Sequence, residues 1–292
     1  MAPAAVTRRI LPRGEMIDVG GRRLRVVWAG PASQRPTIVL EHGAFGCAAD
    51  WAVVQDRLAD KGLRSVAYDR AGLGHSDPGP APRDGRAIVA DLAALLDAHG
   101  ELGSVVLVGH SMGGLMVRLF ALTHPSRVAG VVLVDAVTPE VLDSKLGAGA
   151  VSGFNRLLRW VSLGARLGMM RPVAVFAGDK IGLTPEASAE KRRIYGSAPH
   201  AHWASQEVAS WPATSDQARR SDLPANLPIA VITAGAHDTA TALKRMQMIP
   251  AVASRHGYIE HVVGAGHASL LGRRFADPIV RGVEHVLASA HR

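Results

Sequence analysis

Three residue types scattered along the chain could together carry out acyl transfer: a serine, a histidine and an aspartate. Ser111 sits in Gly109-His110-Ser111-Met112-Gly113-Gly114, and no other serine has glycine at both the second preceding and second following positions. A serine hydroxyl becomes a good nucleophile only when a base takes its proton and a third group orients that base. Among thirteen histidines, His267 in "VVGAGHASLL" is the candidate base, because it follows the last apolar run on a loop of small residues. His42 and His110 belong to loop motifs and read as braces, while His261 falls inside an apolar run. Two aspartates compete to orient the base. Asp238 follows "VITAGAH" and is favoured, since a short loop after the penultimate strand places it beside His267. Asp135, after "VVLV", is the alternative acid.

The glycines around Ser111 have a mechanical reading. A G-x-S-x-G between a strand and a helix forms a nucleophile elbow, so tight that side chains at the flanking positions would collide with neighbouring backbone. The turn presents the serine hydroxyl at the carboxyl end of a sheet and puts the Met112 amide at a helix start, where negative charge is favoured. A second amide for an oxyanion must come from a loop after an earlier strand. "EHGAFGCAADW" has that form, with the Ala44 amide preferred over that of Phe45.

These residues need a scaffold, and the hydropathy pattern supplies one. The runs "RRLRVVWAG", "PTIVLEHG", "RSVAYDR", "SVVLVGH", "VAGVVLVDAV", "PIAVITAG" and "YIEHVVGAG" read as strands. "DWAVVQDRLADKG", "GRAIVADLAALLDAHG", "MGGLMVRLFALTHP", a stretch over about 239–256 and the C-terminal segment read as helices. Strands alternating with helices, with near-continuous Val, Ile and Leu in the strands, predict an α/β fold with a mostly parallel sheet covered on both faces.

Residues 139–225 break the alternation and divide the chain into a core of residues 1–138 and 226–292 and a helical insertion. The insertion concentrates aromatic residues, including Phe154, Trp160, Phe176, Tyr195, Trp203 and Trp211. "SGFNRLLRWVSLGARLGMMRP" reads as an amphipathic helix, and a cap over a pocket fits it better than a membrane-surface helix. Phe45, Trp160 and Trp203 are the candidate substrate contacts. Arg192 and Arg193 read as a solvated helix face rather than an anchor for a substrate carboxylate.

Composition narrows the function classes. The formal charge of +8 comes from dispersed arginines without a clustered face or recognition module, which argues against nucleic-acid binding. No run of 18 apolar residues predicts a membrane span. A lone cysteine, Cys47, and a start without an apolar signal-like run make a cytoplasmic location the expectation. "YDRAGLGHSDPGP" lacks the third glycine of a dinucleotide loop, position 77 being Asp, and Asp69 and Arg70 read as a structural brace. There is no Walker motif and no metal-spaced cluster, so neither cofactor nor metal is expected.

"EHGAFG", "YDRAGLGHSD", "GHSMGG", "GAHD" and "GAGH" stand in the order and spacing of the α/β-hydrolase fold, which the chain resembles over about residues 15–138 and 226–292. The resemblance implies an eight-stranded sheet with an inserted cap, a triad of Ser111, Asp238 and His267, and oxyanion amides at Ala44 and Met112. Ser111 stands where haloalkane dehalogenases and epoxide hydrolases carry aspartate. The elbow also differs from the Gly-Gly-Ser-Trp-Gly of proline iminopeptidases. Glu41 replaces the commoner apolar residue before His-Gly, and the sequence offers no account of it. The expected activity is cofactor-free hydrolysis of a small, apolar carboxylic ester. Lactone, amide or carbon–carbon bond hydrolysis and perhydrolysis are alternatives on the same residues. A ligand-binding module on an inactive scaffold is disfavoured because the three reactive residues are all present.

Overall fold

The computed structural model describes residues 13–145, 147–149, 180–238 and 240–290, with isolated positions between 152 and 164. Eight strands form one sheet: β1 (Glu15–Asp18), β2 (Arg23–Ala29), β3 (Ile38–Glu41), β4 (Ser65–Tyr68), β5 (Val105–His110), β6 (Val128–Val134), β7 (Ile229–Gly235) and β8 (Gly257–Val263). Their spatial order is β1-β2-β4-β3-β5-β6-β7-β8. β1 and β2 are antiparallel, as are β2 and β4, and every other neighbouring pair is parallel. Every residue of β3, β4 and β5 is buried, which is why these strands read as unbroken apolar runs. β1 escaped the sequence pattern because "EMID" is four residues of mixed polarity, held by its ladder to β2.

Strand alternation sends successive side chains into two separate cores. Leu40, Val106, Val108, Val132, Val134 and Ile232 pack with α1 (Ala52–Asp60) on one face, together with Ile279, Val283 and Val286 of the C-terminal helix. Val39, Val105, Leu107, Val131 and Val231 meet α2 (Gly85–Ala98) and α3 (Gly113–Thr123) on the other. α2 starts where the Asp84 carboxylate accepts from the Ala87 amide.

The insertion between β6 and β7 contributes α4 (Pro139–Asp143), α5 (Pro185–Tyr195), α6 (Ala198–Ala209) and α7 (Trp211–Ala218). Among the described residues, buried and half-buried ion pairs fasten it to the core: Glu190 to Arg25 at 2.5 Å, Glu207 to Arg70 at 2.7 Å, and Asp50 to Lys191. The amphipathic segment over 152–172, with Phe154, Arg159 and Arg166, lies largely outside the described residues, as does Phe176; Arg192 and Arg193 are exposed. The chain closes with α8 (Ala242–Ala253) and α9 (Asp277–Ala290). α8 is shorter than its apolar pattern, because Thr241 caps it and Ser254 is extended. Among the described residues, no helix is long and apolar enough to cross a membrane.

Candidate active site

β5 ends in the tight turn that the glycines foretold. Ser111 adopts φ +55°, its amide donates to the Val134 carbonyl at 3.1 Å, and its carbonyl accepts from the Gly114 and Val137 amides at 3.0 and 2.8 Å. A Cβ on Gly109 would lie 2.6 Å from the Gly113 oxygen, and one on Gly113 would lie 2.4 Å from the Glu41 oxygen. No side chain fits at either position. Among the described residues, the non-glycine positions with positive φ are Phe45, Ser111 and Asp135, so left-handed backbone outside glycine gathers at the residues singled out for chemistry.

His267 follows β8, and its ring lies over that of His110, the residue before Ser111, at a centroid distance of 4.6 Å. His110 Nε2 donates to the His267 carbonyl at 2.9 Å and so holds the loop that carries it. Burial, then the neighbouring His267, pushes the His110 pKa down to about 3. The brace is therefore neutral at ordinary pH. His267 Nδ1 lies 2.6 Å from Asp135 Oδ2, a hydrogen bond in which the imidazole N–H donates. Asp135 is buried just beyond β6, and its Oδ1 accepts from the Ala234 amide at 3.2 Å and from the Lys244 ammonium of α8. Burial raises its pKa, but the His267 hydrogen bond and Lys244 outweigh that and bring it down to about 2.

The geometry places His267 against Asp135, the alternative acid, and not against the favoured Asp238. Residues 236–238 are exposed on the loop leaving β7, whereas Asp135 turns inward on its positive φ and meets His267. Loop length, the basis of that preference, does not say which way a carboxylate points.

The loop after β3 runs against the elbow, since a Cβ on Gly43 would lie 2.9 Å from Ser111 Cβ. The Gly43 carbonyl accepts from Arg70 Nη2 and from the Gly46 amide, each at 3.1 Å, and His42 Nδ1 sits 2.9 Å away. In a trans peptide the N–H points opposite to the carbonyl, so the Ala44 N–H is turned away from this cluster. Among the described residues, neither the Ala44 nor the Met112 amide meets an acceptor.

Arg70 also explains Glu41. Its Nη1 donates to Glu41 Oε1 at 2.5 Å and to the His42 carbonyl at 2.6 Å, while Nε and Nη2 grip both oxygens of Glu207 on α6. Tyr68 donates its hydroxyl to the other Glu41 oxygen. Burial pushes the Glu41 pKa up, opposed by the Arg70 charge. Asp69 is the brace expected: its carboxylate accepts from the Ala48 and His75 amides at 2.7 and 2.9 Å. Phe45 and Trp203 join Ala44, Met112 and Met116 in one apolar cluster shared by core and insertion, while Trp160 is exposed. The sequence did not reveal Lys244 or Glu207, whose partners lie 109 and 137 residues away. Such pairs leave no local pattern.

Among curated proteins, the chain is 40% identical to a non-heme chloroperoxidase of Streptomyces lividans over 116 residues, 39% of this chain and 41% of that protein. It is 38% identical to epoxide hydrolase A of Mycobacterium tuberculosis over 122 residues, 41% of this chain and 37% of that protein. The match thus spans only about two fifths of these relatives. Solved structures match nearly end to end. A thermophilic esterase from Thermogutta terrifontis superposes with a TM-score of 0.67 at 21% identity, covering 96% of this chain and all of that one. An enol-lactonase from Burkholderia xenovorans gives 0.64 at 22%, covering 94% of this chain and all of that one. At these identities the likeness is one of fold. A family profile described as alpha/beta hydrolase fold matches residues 36–273, and the chain belongs to that family.

Proposed function

We propose that the protein hydrolyses carboxylic esters through Ser111, His267 and Asp135. The observation that carries the reading is the 2.6 Å contact between His267 Nδ1 and Asp135 Oδ2, beside the elbow that presents Ser111. With Nδ1–H donated to Asp135, Nε2 keeps its lone pair and can accept the serine proton. Ser111 Oγ attacks the carbonyl carbon, and the oxyanion is received by the Ala44 amide and by the Met112 amide at the α3 N-terminus. His267 then protonates the leaving alcohol, and a water deprotonated by His267 releases the acid from the acyl-serine. Asp135 stabilises the imidazolium in both steps and is itself never protonated. A serine nucleophile favours acyl substrates over the epoxides acted on by the Mycobacterium relative's named class. The apolar cluster around Phe45 and Trp203 supports an apolar acyl or alcohol group, with the insertion as a cap.

The test is a fluorophosphonate probe with a panel of p-nitrophenyl esters from acetate to hexanoate. The parent should be labelled and should turn over the esters. Ser111→Ala should stay folded, lose the label and lose turnover. Rates should rise roughly fourfold per added methylene until the pocket fills, since each is worth about 0.8 kcal/mol. Labelling that survives in a folded Ser111→Ala protein would refute the nucleophile assignment.

A further inference from the structure

Asp135 serves two side-chain partners. One carboxylate oxygen faces His267 Nδ1, while the other takes the Lys244 ammonium and the Ala234 amide. Lys244 occupies the first turn of α8, where the exposed N–H groups of the helix disfavour a positive charge. Its side chain is mostly covered and turned onto a carboxylate that is 2% exposed. A lysine kept against the helix field and spent on a buried carboxylate is placed for what it does to that carboxylate. We propose that Lys244 is a positioning residue that shares Asp135 with His267 and thereby lowers the basicity of the imidazole. The inference rests on the proposed role of His267 and deepens it.

The physical argument is one of competition. An imidazolium beside a lone carboxylate is stabilised by the full negative charge. Beside a carboxylate already paired with an ammonium it is stabilised less, so it releases its proton at lower pH. Lys244 also fixes the second oxygen, leaving the first aimed at Nδ1. The other titratable groups near this pair are accounted for. From the elbow, His110 faces the His267 ring and is held neutral by burial; from α5, Lys191 acts on His110 at longer range. From β8, His261 is bonded at Nδ1 to Thr233 and sits against Gly235 and the His237 carbonyl. Among the described residues, Lys244 is therefore the ammonium in direct contact with Asp135.

The experiment is an NMR titration of the His267 ring protons in the intact protein, its resonance assigned with His267→Gln, alongside the pH profile of kcat/KM on a p-nitrophenyl ester. Lys244→Met should raise the His267 pKa and the acid limb of the profile together by about 0.5–1 pH unit. Below that limb, kcat/KM should fall roughly three- to tenfold, while the plateau at higher pH is kept or rises. Lys244→Arg, which keeps the charge, should titrate like the parent. Should Lys244→Met fail to fold, Lys244→Gln reads the same shift. A lysine that only stitches α8 to the sheet would lower the melting temperature and leave the titration unmoved; that result overturns the proposal. The titration needs no turnover. A shift in a protein that hydrolyses no ester would therefore sink the functional reading while sustaining this one.

Discussion

Asp135 and Asp238 end neighbouring strand-to-helix connections, yet one is buried on His267 and the other faces solvent. Asp135→Asn keeps the shape but gives Nδ1 an amide, so the imidazole can settle in the wrong tautomer and its positive charge loses compensation. The same exchange in the serine-protease triad lowers turnover about ten-thousandfold, near 5 kcal/mol. A loss of at least a hundredfold is expected here, with a melting curve to exclude collapse around the unpaired Lys244. Asp238→Asn should leave kcat/KM within about twofold, as exposed substitutions away from a site usually do. Opposite outcomes for the two variants would return the role to Asp238. The elbow around Ser111 was legible because backbone crowding writes itself into adjacent residues: glycines are forced at 109 and 113 by contacts under 3 Å. The choice between the aspartates was not legible, since it depends on side-chain direction after two parallel strands.

At the level of elements, α6 and the loop after β3 are coupled through one guanidinium. Glu207 holds Arg70 by both oxygens, and Arg70 holds the His42 and Gly43 carbonyls that orient the Ala44 peptide. Glu207→Gln weakens that bidentate grip and lets the Gly43–Ala44 peptide rock. An oxyanion donor acts in the transition state and hardly in the ground state, so kcat should fall by about tenfold or more while KM changes little. Steady-state kinetics on one ester decide it: a rise in KM at constant kcat would mean that Glu207 shapes the pocket and leaves the amide alone. The central strands were readable as apolar runs because both their faces are buried, and most helices of the core from periodicity because each buries one face. The clasp was not, because both partners look like ordinary polar residues until the fold is known.

At the scale of the molecule, three histidines are buried among the described residues and weigh on the response to acid. Burial holds His110 near 3 and His200 near 4, and pushes His42 well below its ordinary value. His200 joins insertion to core, since Nδ1 accepts from the Gly74 amide at 3.1 Å and Nε2 lies 3.2 Å from the Phe45 carbonyl. A proton on Nδ1 would set N–H against N–H. Between the unfolded value of about 6.5 and these lowered native values, the unfolded chain binds protons that the native chain does not. Stability therefore rises with pH across that window and is lost on acidification, by up to about 1.4 kcal/mol per pH unit for each histidine. Above pH 5 Asp135 adds nothing, because its native and unfolded forms are both ionised; below that its lowered native pKa makes stability fall in the same direction. The melting temperature should drop by about 5 °C or more from pH 7 to pH 4.5. His200→Gln should flatten the slope; equal melting temperatures at the two pH values would show that the histidines open to water before the fold gives way.

The left-handed backbone at Ser111 has an evolutionary side. A glycine there would rest at φ +55° without the strain a serine bears. Under the proposed chemistry, stability and turnover pull in opposite directions at this one codon. Core residues are kept by folding whether or not the protein acts on anything. Ser111 is kept by use alone, so in a gene copy released from its task the nucleophile is among the first residues free to drift.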